Sequence, residues 1–271
     1  MRIMAPFESQ VQNDKAYQEH RVFPLLDTLI EFYNSVYMVG PDFITKGVVS
    51  GLLNIDHVVC ASLAGTLDSV KVVLFAGRIN DAYALVIKYH DGIIAGTYVN
   101  VYLEEKYSLD NFIVEKIQNW VKNKEKLPSS ERMLKTIRDY QPLQELEKLF
   151  DWDGLYYRIR RLSNGNTHYN KLHYMWLNNN MIYNPRRVKE LDNIYSCVLH
   201  LFILHFAYMY SINPQYMMSS DYVDALEIGM EPEEGSQYWV APYVSKVYEE
   251  IVKSKRPDIA EYMKAHTEME L

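Results

Sequence analysis

The run IYSCVLHLFILHFAYMYSI, Ile194–Ile212, is the part of the sequence that most limits what the chain can fold into. It is too apolar to lie on a surface, and it is nearly long enough to cross a bilayer. Asn193 and Asn213 bound it, while His200 and His205 interrupt it. Polar groups of that kind are costly in hydrocarbon, so the run is read as a buried core helix and no membrane association is expected. A helix that is apolar on every side needs other helices packed around it.

The rest of the chain supplies them. Leu25, Leu26, Leu29, Ile30 and Tyr33 recur at three-and-four spacing within Val22–Met38, which Gly40-Pro41 stops. Leu52–Phe75 is a second long run, ended by Gly77. A third extends from Asn80 to Glu105 on Ala82, Leu85, Val86, Ile93, Ile94 and Tyr98, with Gly92 and Gly96 permitting close helix approach. Shorter helices are predicted over Asp110–Lys122, over Glu131–Asp139 capped by Ser129 or Ser130, and over Pro142–Phe150. Asp151 caps a segment carrying Leu155, Tyr156, Ile159 and Leu162, and a long helix fills Arg187–Ile212. Ser220 starts a short helix closed by Gly229, and Pro242–Lys253 and Pro257–His266 complete the set. Period-two alternation between hairpin turns is not found, so the fold class is all-α, a multi-helix bundle.

Composition sets the chemical class. Lys and Arg number 28 against 35 Asp and Glu, a net charge of -7, which argues against a surface that coats nucleic acid throughout. The charge is unevenly spread. Between Asp151 and Glu190 seven cations face three anions, a balance of +4, whereas Ile212–Trp239 holds six acids and no Lys or Arg. A polyanion would be drawn to the first region and repelled by the second. Cys60 and Cys197 lie in apolar helical runs and the N-terminal residues have no apolar signal core, so a reducing, cytoplasmic location is expected. No Gly-rich phosphate loop, HExxH site, paired-cysteine knuckle or GxSxG elbow is present, and no cofactor is implied.

The polar cluster YYRIRRLSNGNTHYN, Tyr156–Asn170, carries the most chemistry. Arg158, Arg160 and Arg161 crowd what reads as a helix end, and Ser163-Asn164-Gly165-Asn166 reads as a turn. Such a turn would fold Arg161 and His168 back toward one point. Guanidinium binds phosphate with a fork of N–H groups, and imidazole takes or gives a proton near neutrality. Together they are the parts for metal-free phosphodiester cleavage through a ribose 2′-hydroxyl. The plainer reading is that the arginines complement a helix C-terminus and the asparagines only make the turn.

Arg161-LSNGNT-His168 resembles the motif of the HEPN superfamily, an arginine followed by four to six residues and a histidine. The resemblance implies a HEPN-like core over residues 51–212, a helical extension over 1–50 and an acidic C-terminal region over 213–271 packed on that core. It implies a metal-independent endoribonuclease of toxin or phage-defence type, active as a homodimer, with RNA as substrate. Arg161 would hold the scissile phosphate and His168 would act as acid and base, with Arg158, Arg160, Asn164, Asn166 and Asn170 as supporting contacts. A restraining protein partner or antitoxin belongs to the same picture.

Two further constellations stand beside it. Arg78, Asp81, Lys88 and Asp91 share one side of a helix, as a network supporting a site or as a solvated face. Asp221, Asp224 and Glu227 could hold a divalent cation, or serve as acids near a helix N-terminus. The competing functions are therefore a non-catalytic HEPN-like module that binds a protein through its tyrosine-rich surface and acidic C-terminal third, and a metal-dependent helical enzyme built on those three acids.

Overall fold

The computed structural model describes residues 11, 13–39, 55–108, 110–111, 113–150, 152–168, 171–181 and 184–271, with only the backbone of 39, 152–158 and 163. The expected stop at Gly40-Pro41, the start at Leu52, the Asp151 cap and the contact assigned to Asn170 lie outside these residues, as does the side chain of Arg158.

Helices follow one another in the order α1 Lys15–Gln18, α2 Val22–Val39, α3 Ile55–Phe75, α4 Ile79–Lys106, α5 Glu115–Val121, α6 Ser130–Asp139 and α7 Gln144–Phe150. Then come α8 Trp152–Thr167, α9 Leu172–Trp176, α10 Arg187–Ile212, α11 Asp221–Glu227, α12 Pro242–Val247, which continues as a π-helical turn Tyr248–Lys253, and α13 Pro257–Ala265. Extended pairing among the described residues is limited to the isolated bridges Ser108–Asn111 and Met218–Val240. The protein is an all-α multi-helix bundle.

Helix ends were readable because their stop signals have a mechanism. Gly77 adopts φ +72°, its N–H donates to Leu74 O at 2.7 Å, and the Arg78 N–H donates to Val73 O at 2.8 Å. That pair of bonds satisfies the last carbonyls of α3 and needs a left-handed residue. Gly229 ends α11 in the same way, with Met230 N–H donating to Ala225 O at 2.9 Å. By contrast α5 is shorter than the expected Asp110–Lys122, beginning only at Glu115. Ser129 and Ser220 hold the N-cap positions of α6 and α11 without a side-chain capping bond.

Two compact units form, each from three pieces of chain. Unit 1 comprises Met1–Glu31, Ser62–Asp91 and Trp152–Phe202; unit 2 comprises Phe32–Ala61, Gly92–Asp151 and Ile203–Leu271. Four of the five boundaries fall within α2, α3, α4 and α10, so each of these helices contributes to both, and the fifth lies between α7 and α8.

In unit 1, Leu26, Leu67, Leu74, Val86, Tyr83 and Leu191 are buried to within 1% of complete. Tyr17 Oη donates to Leu74 O at 2.8 Å, so its burial leaves no hydroxyl unsatisfied. Phe23 stacks on Phe75 with ring centroids 4.2 Å apart. At one edge Arg21 donates to Asp192 at 2.7 Å and lies over the Tyr195 ring at 4.3 Å.

In unit 2 the core is aromatic. Phe206 meets Phe32 at 5.6 Å and Tyr210 edge-on at 4.7 Å, and Phe32 meets Tyr243 at 5.9 Å. Buried Gly96 lets α4 and α3 approach closely, since a Cβ there would lie 2.9 Å from Val59 Cγ1. Buried Asp56 accepts from Asn100 Nδ2 at 2.6 Å and from Tyr216 Oη at 3.0 Å. Burial pushes its carboxyl above the ordinary range despite those bonds.

Among the described residues, two helices, Ile55–Phe75 and Arg187–Ile212, are long and apolar enough to cross a membrane by length and composition. The apolar window of Arg187–Ile212 is mostly buried, as expected for a core helix, whereas that of Ile55–Phe75 is less than half buried.

Candidate functional site: a basic cleft in unit 1

The expected turn at Ser163-Asn164-Gly165-Asn166 does not form. α8 continues through it to Thr167, and the His168 N–H still bonds Asn164 O at 3.3 Å. Asn and Gly are poor helix formers, but tertiary bonds outweigh propensity here. Asn166 is 2% exposed. Its Nδ2 donates back to Leu162 O at 2.8 Å, while Asn80 Nδ2 donates to Asn166 O at 2.8 Å and to Asn166 Oδ1 at 3.0 Å. Gly165 is explained by space: a Cβ there would come within 2.9 Å of Tyr174 Oη. The glycine serves packing, not a left-handed turn.

The geometry of the Arg/His pair changes accordingly. Residues seven apart on a helix lie on nearly the same face, separated by about 10 Å along the axis. Arg161 and His168 therefore share a side of α8 without converging through a fold-back, and both are exposed.

Arg161 opens onto a cleft of about 750 Å³ lined by Arg160, Arg161, Leu162, Asn164, Gly165, Lys171 and Tyr174. That volume suits a ligand site, which typically has roughly 300–1,000 Å³. Three cations, one amide and one phenol ring surround it. His168 is not among the lining residues, nor is Asn166, whose polar atoms are engaged in holding α8.

A seam of amides supports the cleft from the α4 side. The Asn80 N–H donates to Asn178 Oδ1 at 2.9 Å, and Asn178 Nδ2 donates to Asp81 Oδ1 at 2.8 Å. Arg187, 3% exposed, donates through Nη2 to Asn179 O at 2.5 Å. Asn180 Nδ2 donates to Ala76 O. Asp81 is thus structural, linked to the segment after α9. Arg78 and Lys88 are exposed, and Asp91 pairs with His90 at 3.1 Å. The four-residue stripe is mainly a solvated face, with Asp81 alone reaching the residues that support the cleft. Sequence reasoning missed Lys171, Tyr174 and Asn80; only the basic balance of the region hinted at the lysine.

Asp221 and Asp224 occupy the first turn of α11, where acids favour the helix N-terminus, and Glu227 is exposed at its end. Among the described residues no three His, Cys, Asp or Glu side chains are grouped to hold a metal ion. No family model, curated protein or solved structure matches the chain.

Proposed function

We propose that this chain binds the phosphodiester backbone of RNA in the cleft of unit 1. The observation that carries the reading is the convergence of Arg160, Arg161 and Lys171 with Tyr174 and Asn164 on one open cavity. Guanidinium groups pair with phosphate oxygens in a forked geometry, lysine adds a point charge, and an aromatic face accepts a stacked base. The acidic remainder of the chain confines a polyanion to this region.

The experiment is binding of a labelled single-stranded oligoribonucleotide to the full chain at several salt concentrations. Replacing Arg161 by Ala should weaken binding across sequences and lower the salt slope by about one. An affinity unchanged in the Arg160→Ala/Arg161→Ala double variant would remove the cleft as the binding site.

A second reading, metal-independent cleavage of HEPN type, is favoured by the shared face of Arg161 and exposed His168. His168 would take the proton of the 2′-hydroxyl as its oxygen attacks phosphorus held by Arg161. The P–O5′ bond would break as the 5′-oxygen takes a proton from water, giving a 2′,3′-cyclic phosphate and a free 5′-hydroxyl, and the His168 imidazolium would return its proton to solvent. Cleavage in the presence of chelator that disappears in His168→Ala supports this reading. Binding without cleavage leaves the chain an RNA-binding module.

A further inference from the structure

On the other side of α9 from the basic cleft lies a second pocket of about 410 Å³, lined by His173, Trp176, Leu177, Asn179, Asn184, Pro185, Arg186 and Glu190. We propose that this pocket takes an unpaired nucleobase of the same RNA strand whose phosphates occupy the cleft, an inference that rests on the RNA reading above.

The division of α9 makes the two sites neighbours. Lys171 and Tyr174, three residues apart, line the cleft, whereas His173, Trp176 and Leu177, at three-and-four spacing, line the pocket. A helix with its side chains is about 10 Å across, a span a nucleotide crosses from phosphate to base. Leu172 and Met175, 64% and 50% exposed, form the apolar crest between them. The His173 and Tyr174 rings, one from each lining, have centroids 4.1 Å apart.

The chemistry inside the pocket differs from that of the cleft and fits a base. Trp176 is 54% exposed, an unusual position for so large an aromatic, and offers a stacking face. Leu177, 3% exposed, closes the floor. Asn179 Oδ1 accepts from the Met181 N–H at 3.1 Å, and Asn184 Oδ1 accepts from the Arg186 N–H at 3.0 Å. Each amide is thereby oriented with its Nδ2 as the group left to donate, as the ring nitrogens and carbonyls of a base require. Glu190 supplies an acceptor for an exocyclic amine or ring N–H. Its Oε2 is already fixed by Tyr83 Oη at 2.7 Å and Asn193 Nδ2 at 3.0 Å. Single-stranded RNA is recognised in this manner, by bases splayed onto aromatic faces and bonded along their edges.

The test compares two ligands of equal length and charge, a single-stranded oligoribonucleotide and the corresponding abasic ribose-phosphate chain, by anisotropy on the full protein. The intact strand should bind roughly five- to a hundredfold more tightly than the abasic one. Trp176→Ala should remove most of that difference, the part not owed to stacking on Tyr174, while leaving abasic binding unchanged, and Trp176→Phe should restore it. Circular dichroism confirms that the variants are folded. Equal binding of both ligands to the unaltered protein, or a difference undiminished in Trp176→Ala, overturns the base pocket while the phosphate cleft stands. Failure of both ligands to bind overturns the cleft and the pocket together.

Discussion

Unit 2 is organised around rings and unit 1 around amides, and the two solutions serve different ends. In unit 2, Phe32, Phe206, Tyr210 and Tyr243 interlock, and His205 enters the core with its Nδ1 bonded to Tyr33 Oη at 2.8 Å. Rings bury large area and tolerate few directions of bonding, so they yield a closed core. In unit 1, Asn80, Asn166, Asn178 and Arg187 exchange directed bonds with backbone and side chain. Directed bonds hold segments in place without filling the space between them, and the two cavities lie beside this seam. The aromatic core of unit 2 and the amide seam beside the proposed RNA site of unit 1 thus differ in the kind of interaction that holds them.

Phe206→Ala is the hardest test. The ring is fully buried, and its removal should cost about 3–5 kcal/mol in urea unfolding, while RNA affinity of the folded fraction stays as it was. A large loss of affinity in folded Phe206→Ala would break the separation.

Acid should act on the same unit. Burial pushes the His205 imidazole from 6.5 down to about 3. Below its ordinary value the unfolded chain takes up a proton there and the folded chain does not, so stability falls with falling pH. The slope is about 1.4 kcal/mol per pH unit through that window. Asp56 works in the opposite direction, because its raised carboxyl loses stability as pH rises above 3.8. The difference between the parent chain and His205→Asn isolates the histidine: the variant should lose the acid slope. Parallel pH profiles would refute the assignment.

Asn80→Ala sharpens the comparison from the other side. It removes both bonds to Asn166 and should cost about 1–3 kcal/mol, since a buried partner is left unpaired. RNA affinity should fall with it, because the end of α8 carries the cleft. Unchanged affinity would mean that the amide seam does not position the site. The smallest effect belongs to Asp221→Asn/Asp224→Asn/Glu227→Gln. These surface changes should alter stability by no more than about 0.5 kcal/mol per site, with added divalent cation giving no thermal shift in the parent chain. A metal-dependent shift that the variant lacks would restore the metal-enzyme reading.

Much of the helical skeleton was legible in the residues. Val22–Val39, Ile79–Lys106 and Arg187–Ile212 match their apolar periodicity to within a residue or so at the described ends. Gly77 and Gly229 stop their helices because only a left-handed residue completes the closing bonds. The basic bias of Asp151–Glu190 likewise follows from composition, because like charges close in sequence stay close in space.

What the sequence could not decide were the matters settled by distant partners. Ser163-Asn164-Gly165-Asn166 has the local chemistry of a turn, yet it is helix because Asn80, far away in the chain, satisfies Asn166. Lys171 and Tyr174 join Arg161 in one cleft through tertiary packing, and His168 is left outside that lining. The interleaving of three chain pieces in each unit is of the same origin. Local propensity amounts to a few tenths of a kcal/mol per residue, whereas one satisfied buried polar group outweighs several such preferences, so the tertiary structure had the final word wherever the two disagreed.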